Sequence, residues 1–146
     1  MIWTLLLGCA PSTEQQCHGL TGAWSGTFEG DLQGDLALPL IAVGTAGAAA
    51  VGTQAVPFEP VDGPLGDIWV TVLCDTARLE GLVDAEWEQD DHVHWYTGEL
   101  NGQLERLDAA GAGSWLIHWE SEPLDGSAPR GLVETLRGSW SLTLGQ

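Results

Sequence analysis

Residues 21–40 read TGAWSGTFEGDLQGDLALPL, and the spacing of large and tiny side chains within them decides the fold. Gly22, Trp24, Gly26 and Phe28 share one parity, as do Leu32, Gly34, Leu36, Leu38 and Leu40. Side chains of a strand alternate between faces, so each set lines one side of a sheet. A three-residue turn at Glu29-Gly30-Asp31, where glycine takes positive φ at little cost, sets Phe28 against Leu32, Gly26 against Gly34, Trp24 against Leu36 and Gly22 against Leu38. The whole apolar set then falls on one face of an antiparallel hairpin.

The same alternation returns from Gly66. Ile68, Val70, Val72 and Cys74 share a face, and a two-residue turn at Asp75-Thr76 sets Val72 opposite Leu79, Val70 opposite Gly81 and Ile68 opposite Val83. A turn through residues 88–91 then places Val83 opposite Tyr96, Gly81 opposite Gly98 and Leu79 opposite Leu100. Another at Asn101-Gly102-Gln103 brings Leu100 over Leu104. Gly113, Trp115, Ile117 and Trp119 form a further inward row. So do Leu132, Leu136, Gly138, Trp140, Leu142 and Leu144, with Thr135, Arg137, Ser139, Ser141 and Thr143 pointing out. One face assignment survives every turn, which a helical period would not allow.

Glycine alternating with Trp or Leu lets an indole lie flat over a strand and permits sharp coiling. The pattern predicts an all-β fold: an antiparallel meander barrel of eight or nine strands, with a two-sheet β-sandwich as the alternative. Residues 42–56 read as a weak strand or a short helix, and Pro57, Pro60 and Pro64 mark a connection.

With 146 residues, 44 % of them apolar and 17 % charged, the chain is long enough for one domain with a core and is not an acidic tail. It has no Lys and four Arg, for a net charge of −17. Binding to a phosphate backbone needs clustered cations, so nucleic acid is excluded as a partner.

The start, MIWTLLLGCA, is apolar from Ile2 to Leu7 and ends in Leu6-Leu7-Gly8-Cys9, which resembles the lipobox of bacterial lipoproteins. The resemblance implies cleavage before Cys9 and acylation of that cysteine, with residues 1–8 as a shortened signal peptide. Two or more acyl chains, at about 0.8 kcal/mol per buried methylene, anchor a protein stably. The other reading is a buried N-terminal strand with an ordinary Cys9. Three cysteines are an odd number for an exported chain; with Cys9 acylated, Cys17 and Cys74 remain as one pair, a disulfide that needs an oxidising compartment. The alternative is two free thiols in a cytosolic protein. On the first reading residues 9–17 are the lipidated cysteine and its tether, and residues 18–146 form one β-barrel domain on the outer membrane or elsewhere in the cell envelope.

Leu20-Thr21-Gly22-Ala23-Trp24, a Gly-x-Trp opening the first strand, resembles the calycins, the lipocalins and avidins. The resemblance implies a small meander barrel and, by analogy with lipocalins, an arginine of the last strand lying over that Trp; Arg137 is the nearest candidate.

His92 and His94 form His-x-His on one strand, facing inward by the register above, and share that face with Tyr96, Arg106, Trp119 and Glu134. If these converge at one mouth, they make a polar cluster against aromatic walls, suited to a small ligand or, through the two imidazoles, to a metal. The alternative is a wet rim beside the acidic run Glu86, Glu88, Asp90 and Asp91, which lacks the spacing of a calcium loop. His118 falls on the opposite face, and His18 lies at the surface. Trp69 and Trp95 point outward, under a loop or as a partner-binding patch. No nucleophile elbow, phosphate loop or His-Glu-x-x-His occurs, and no cofactor motif. The expected function is therefore a lipid-anchored, non-catalytic binding or structural module. The alternatives are a calycin-like carrier of a small apolar ligand and, more distantly, a metal-dependent enzyme using His92 and His94.

Overall fold

A computed structural model describes residue 17 and residues 19–43, 49–55 and 65–145. It is all-β among those residues. The strands are β1 (Gly22–Gly30), β2 (Gly34–Val43), β3 (Ala49–Ala55), β4 (Leu65–Leu73), β5 (Arg78–Gln89), β6 (His92–Glu105), β7 (Ala110–Pro123) and β8 (Gly131–Leu144). Each pairs antiparallel with its successor in one curled, barrel-like sheet, and β1 also pairs with β8, from Trp24 opposite Leu144 to Gly30 opposite Gly138. The two-sheet sandwich is not formed, and residues 49–55 are strand, not helix.

Period-two alternation sets the faces. Along β5, Leu79, Gly81, Val83, Ala85 and Trp87 are buried while Arg78, Glu80, Leu82, Asp84, Glu86 and Glu88 are exposed. Ile68, Val70 and Val72 on β4 lie opposite Val83, Gly81 and Leu79, the register expected from sequence. The connection there is a four-residue turn, residues 74–77, in which Ala77 takes a φ of 58° and its amide donates to the Leu73 carbonyl (2.7 Å).

Three other expected turns differ. In the first hairpin Trp24 sits opposite Leu38 and Gly26 opposite Leu36, a slip of two residues. Gly30 is not the turn: β1 runs on through it to pair with β8, and the chain reverses over residues 31–33. In the second, Asp90 and Asp91 both adopt positive φ (54° and 59°), the pattern of a two-residue hairpin, so Tyr96 faces Ala85 and His94 faces Trp87. The third does not exist. β6 continues through Asn101-Gly102-Gln103, with Leu100 opposite Trp115 and Leu104 opposite Gly111. A slip of two preserves side-chain parity, so the inward set is largely as expected. Among the large apolar side chains of that set Leu132 is the exception at 60 % exposure, because a bulge at Trp119/Glu120 displaces the pairing of β8 beyond Glu134.

The interior is packed by Trp24, Phe28, Leu36, Leu38, Ile68, Val70, Leu79, Trp115, Trp140 and their neighbours. Glycines admit two of the buried indoles. Trp140 lies over Gly102 and Gly113, where a β-carbon would come within 2.3 and 2.7 Å of the indole. Its Nε1–H reaches the Asn101 and Ser114 carbonyls, both at 3.2 Å. Trp115 lies over Gly138 in the same way and donates to the carbonyls of Glu29 (3.1 Å) and Ser139 (3.2 Å).

One end of the sheet is closed by the chain entering it. Leu20 and Cys17 are fully buried there, the Leu20 carbonyl accepts Trp24 Nε1–H at 2.7 Å, and Cys17 is bonded to Cys74 with Cα atoms 4.9 Å apart. The expected disulfide is thus present. Cys9, its tether and His18 lie outside the described residues, as does the proline-rich segment 56–64.

Candidate functional site

The other end of the sheet carries the residues singled out from sequence. β6 starts there at His92, directly after the Asp90-Asp91 turn, and alternation points His92, His94 and Tyr96 toward the interior. Strand pairing supplies their neighbours: Trp87 lies opposite His94, Trp119 opposite Tyr96, and Glu134 opposite Trp119. The rings form one contiguous stack. Trp87 stacks on His94 (centroids 5.2 Å, planes 16° apart) and meets Tyr96 edge-on at 4.6 Å, while Trp119 packs edge-on against Tyr96 at 6.2 Å.

The ring nitrogens of Trp87, His94 and Trp119 all have hydrogen-bond partners within the protein. Trp119 Nε1–H donates to His94 Nδ1 at 3.1 Å, which leaves the imidazole proton on Nε2, where it is donated to the Gln89 carbonyl at 3.2 Å. Both ring nitrogens of His94 are therefore used, and a metal bond to either would break a hydrogen bond. His92 donates from Nδ1 to the Asp90 carbonyl at 2.8 Å, and its ring lies 6.1 Å from that of His94. Among the described residues no three His, Cys, Asp or Glu side chains are placed to hold a metal ion. Burial, and secondarily the negative charge of Glu134, push the Tyr96 phenol above its ordinary value of 10.0.

Beside His92 is an open cleft walled by Asp91, Pro123, Leu124 and Asp125. The Ser127 hydroxyl first, and then its amide at 2.8 Å, hold the Asp125 carboxyl below the usual range, with a smaller contribution from His92. The wet-rim reading describes His92; His94 belongs to the packed stack.

Of the six expected site residues the structure brings together His92, His94, Tyr96, Trp119 and Glu134, but not Arg106. β6 is unbroken for 14 residues, so Arg106 sits in the turn after it, at the opposite end with the disulfide, roughly 40 Å along the strand. Trp87 is the member not placed there from sequence; the Asp-Asp dipeptide, read as a two-residue turn, would have paired it with His94. His118 is on the outer face as expected, with Nδ1 3.3 Å from the Thr135 hydroxyl. Arg137 is also outside, opposite Leu116, whereas Trp24 is paired with Leu144; the arginine-over-tryptophan contact that the calycin resemblance implies is not formed.

Inside the sheet is an apolar cavity of about 20 Å³, lined by Phe28, Leu36, Ile68, Val83, Leu100, Trp115 and Ile117. That is room for one water-sized sphere, against several hundred Å³ for a drug-sized ligand. No family model, no curated protein and no solved structure matches this chain.

Proposed function

We propose that this chain is a lipid-anchored module of the cell envelope, a closed eight-stranded meander barrel that binds or braces other components without catalysis. The observation that carries the reading is the filled interior among the described residues: indoles packed on glycines and an apolar cavity of only about 20 Å³ offer rigidity, not storage space. The pairing of β1 with β8 supports closure. The Cys17–Cys74 bond fits an oxidising compartment, which the lipobox-like Leu6-Leu7-Gly8-Cys9 independently suggests.

On this reading residues 10–16 span at most about 25 Å, so the disulfide end rides near the bilayer and the His92 mouth faces away from it. Mass spectrometry of the native N-terminus tests the anchor: a peptide starting at Cys9 and carrying acyl chains is expected, and an unmodified Cys9 refutes it. The carrier reading has its own test. Hydrophobic probes should leave tryptophan fluorescence unchanged, since a packed interior has nowhere to admit them.

A further inference from the structure

The outer face of β4–β6 carries a groove between Trp69 and Trp95 with carboxylates between them. Trp69 is 43 % exposed, and its partner across the ladder, Leu82, is 62 % exposed. Asp67 and Asp84 are directly opposite each other, and Glu86 follows Asp84 on the same face, opposite Trp95. Like charges facing across a ladder destabilise a sheet. None of the three carboxylates makes an ion pair among the described residues; Arg78 is paired with Glu80 and Arg130 with Glu120. The groove has one cation. Arg130, in the chain between β7 and β8, lies with its guanidinium carbon 3.9 Å from the Trp95 ring centroid and bonds Glu120 at 3.0 Å. Arg130 thus covers the Trp95 ring, whereas Trp69, beside the Asp67–Asp84 pair, is 43 % exposed and has no cation stacked on it among the described residues.

We infer that this face docks an arginine-bearing segment of a basic protein partner, with a guanidinium stacked on Trp69 and its N–H groups directed at Asp67 and Asp84. Arginine suits the position because its planar cation stacks on an indole and forks onto carboxylates at once. Charge selects among possible occupants. A second copy of this chain, at a net −17, is repelled, as are an anionic lipid surface and a nucleic acid. A cationic segment instead relieves the repulsion between the two aspartates. The inference deepens the reading of the chain as a binding module by naming its partner's chemistry, and it is independent of the lipid anchor.

The test is titration of the full chain with acetyl-Gly-Arg-Gly-Arg-Gly-amide, followed by the indole N–H resonances in nuclear magnetic resonance. Saturable shifts of the Trp69 and Trp95 signals are expected, weakening with salt and absent for the isosteric citrulline peptide. The D67N/D84N pair should weaken binding about tenfold or more while keeping or raising the melting temperature, because it removes a repulsion without changing shape. W69A should weaken binding about fivefold. Unshifted indoles, equal binding of the citrulline peptide, or undiminished affinity in D67N/D84N would each overturn the assignment. A negative titration removes this partner but leaves the packed, anchored module standing; an unacylated Cys9 removes the anchor and leaves the titration unaffected.

Discussion

Substituting Gly138 by alanine places a methyl group in a position that two strands and a ring already occupy. Its β-carbon would fall 1.8 Å from the Glu29 carbonyl oxygen and 2.7 Å from both Cε2 and Cζ2 of Trp115. Gly138 is opposite Gly30 on one side and Trp115 on the other, so neither neighbour yields without moving the other. Either the β1–β8 seam opens, or the Trp115 indole tips and gives up its bonds to the Glu29 and Ser139 carbonyls. Overpacking costs about 2 kcal/mol and loss of the buried indole bond about 1 kcal/mol more, so G138A should be destabilised by about 3 kcal/mol. For a domain of this size that corresponds to a fall of roughly 10 °C in Tm. The control is on the same strand. A β-carbon at Gly131 meets nothing nearer than the Pro129 carbonyl at 4.0 Å. G131A should therefore melt with the parent or slightly above it, through reduced entropy of the unfolded chain. Thermal melts followed by near-ultraviolet circular dichroism read both variants. If G138A melted within about 2 °C of G131A, the argument that the interior glycines make room for indoles and neighbouring backbone would fail.

Three further predictions follow from the same geometry. C74S opens a crosslink spanning 57 positions and should cost about 4 kcal/mol in the chain-entropy account; denaturant melts should show the parent plus reductant coinciding with the variant. Tyr96 is the only tyrosine, so tyrosinate absorbance reports it alone, and the folded chain should titrate above 10.0. Because the unfolded phenol ionises first, the stability that Tyr96 contributes is intact below pH 10 and is lost as pH rises toward the folded value; E134Q should lower that value, and Y96F should remove this part of the pH dependence. With His94 hydrogen-bonded at both nitrogens, neither zinc nor a chelator should shift Tm, and a rise on adding zinc would overturn that reading of the mouth.

Faces were legible in this sequence because alternation is local: each strand declares its own inward parity. Pairings were legible only where the turn was. The residues 74–77 reversal kept the expected register although it is longer than the dipeptide suggested. Gly30 misled because its positive φ of 127° serves the approach to β8, not a reversal. Asn101-Gly102, a strong local turn signal, was overridden from a distance, since Gly102 is where the ring of Trp140 comes to rest. The same override explains Arg106: a turn at residue 102 would have folded it back, and a continuous strand carried it to the far end. The convergence of His92, His94, Tyr96, Trp119 and Glu134 survived because a slip of two keeps them on one face. The Trp119–His94 bond did not announce itself, as it joins residues 25 apart whose meeting depends on register.

The ladder joining the first strand to the last gives this protein an order of events. β1 finds its second partner only when residues 138–144 arrive, so a chain emerging from a ribosome or a translocon carries an unmatched border until that segment is free. Loss of the β8 segment would leave two raw borders, one on β1 and one on β7, each a template for intermolecular pairing. A stop codon shortly before residue 131 should thus yield aggregates, not a smaller folded protein.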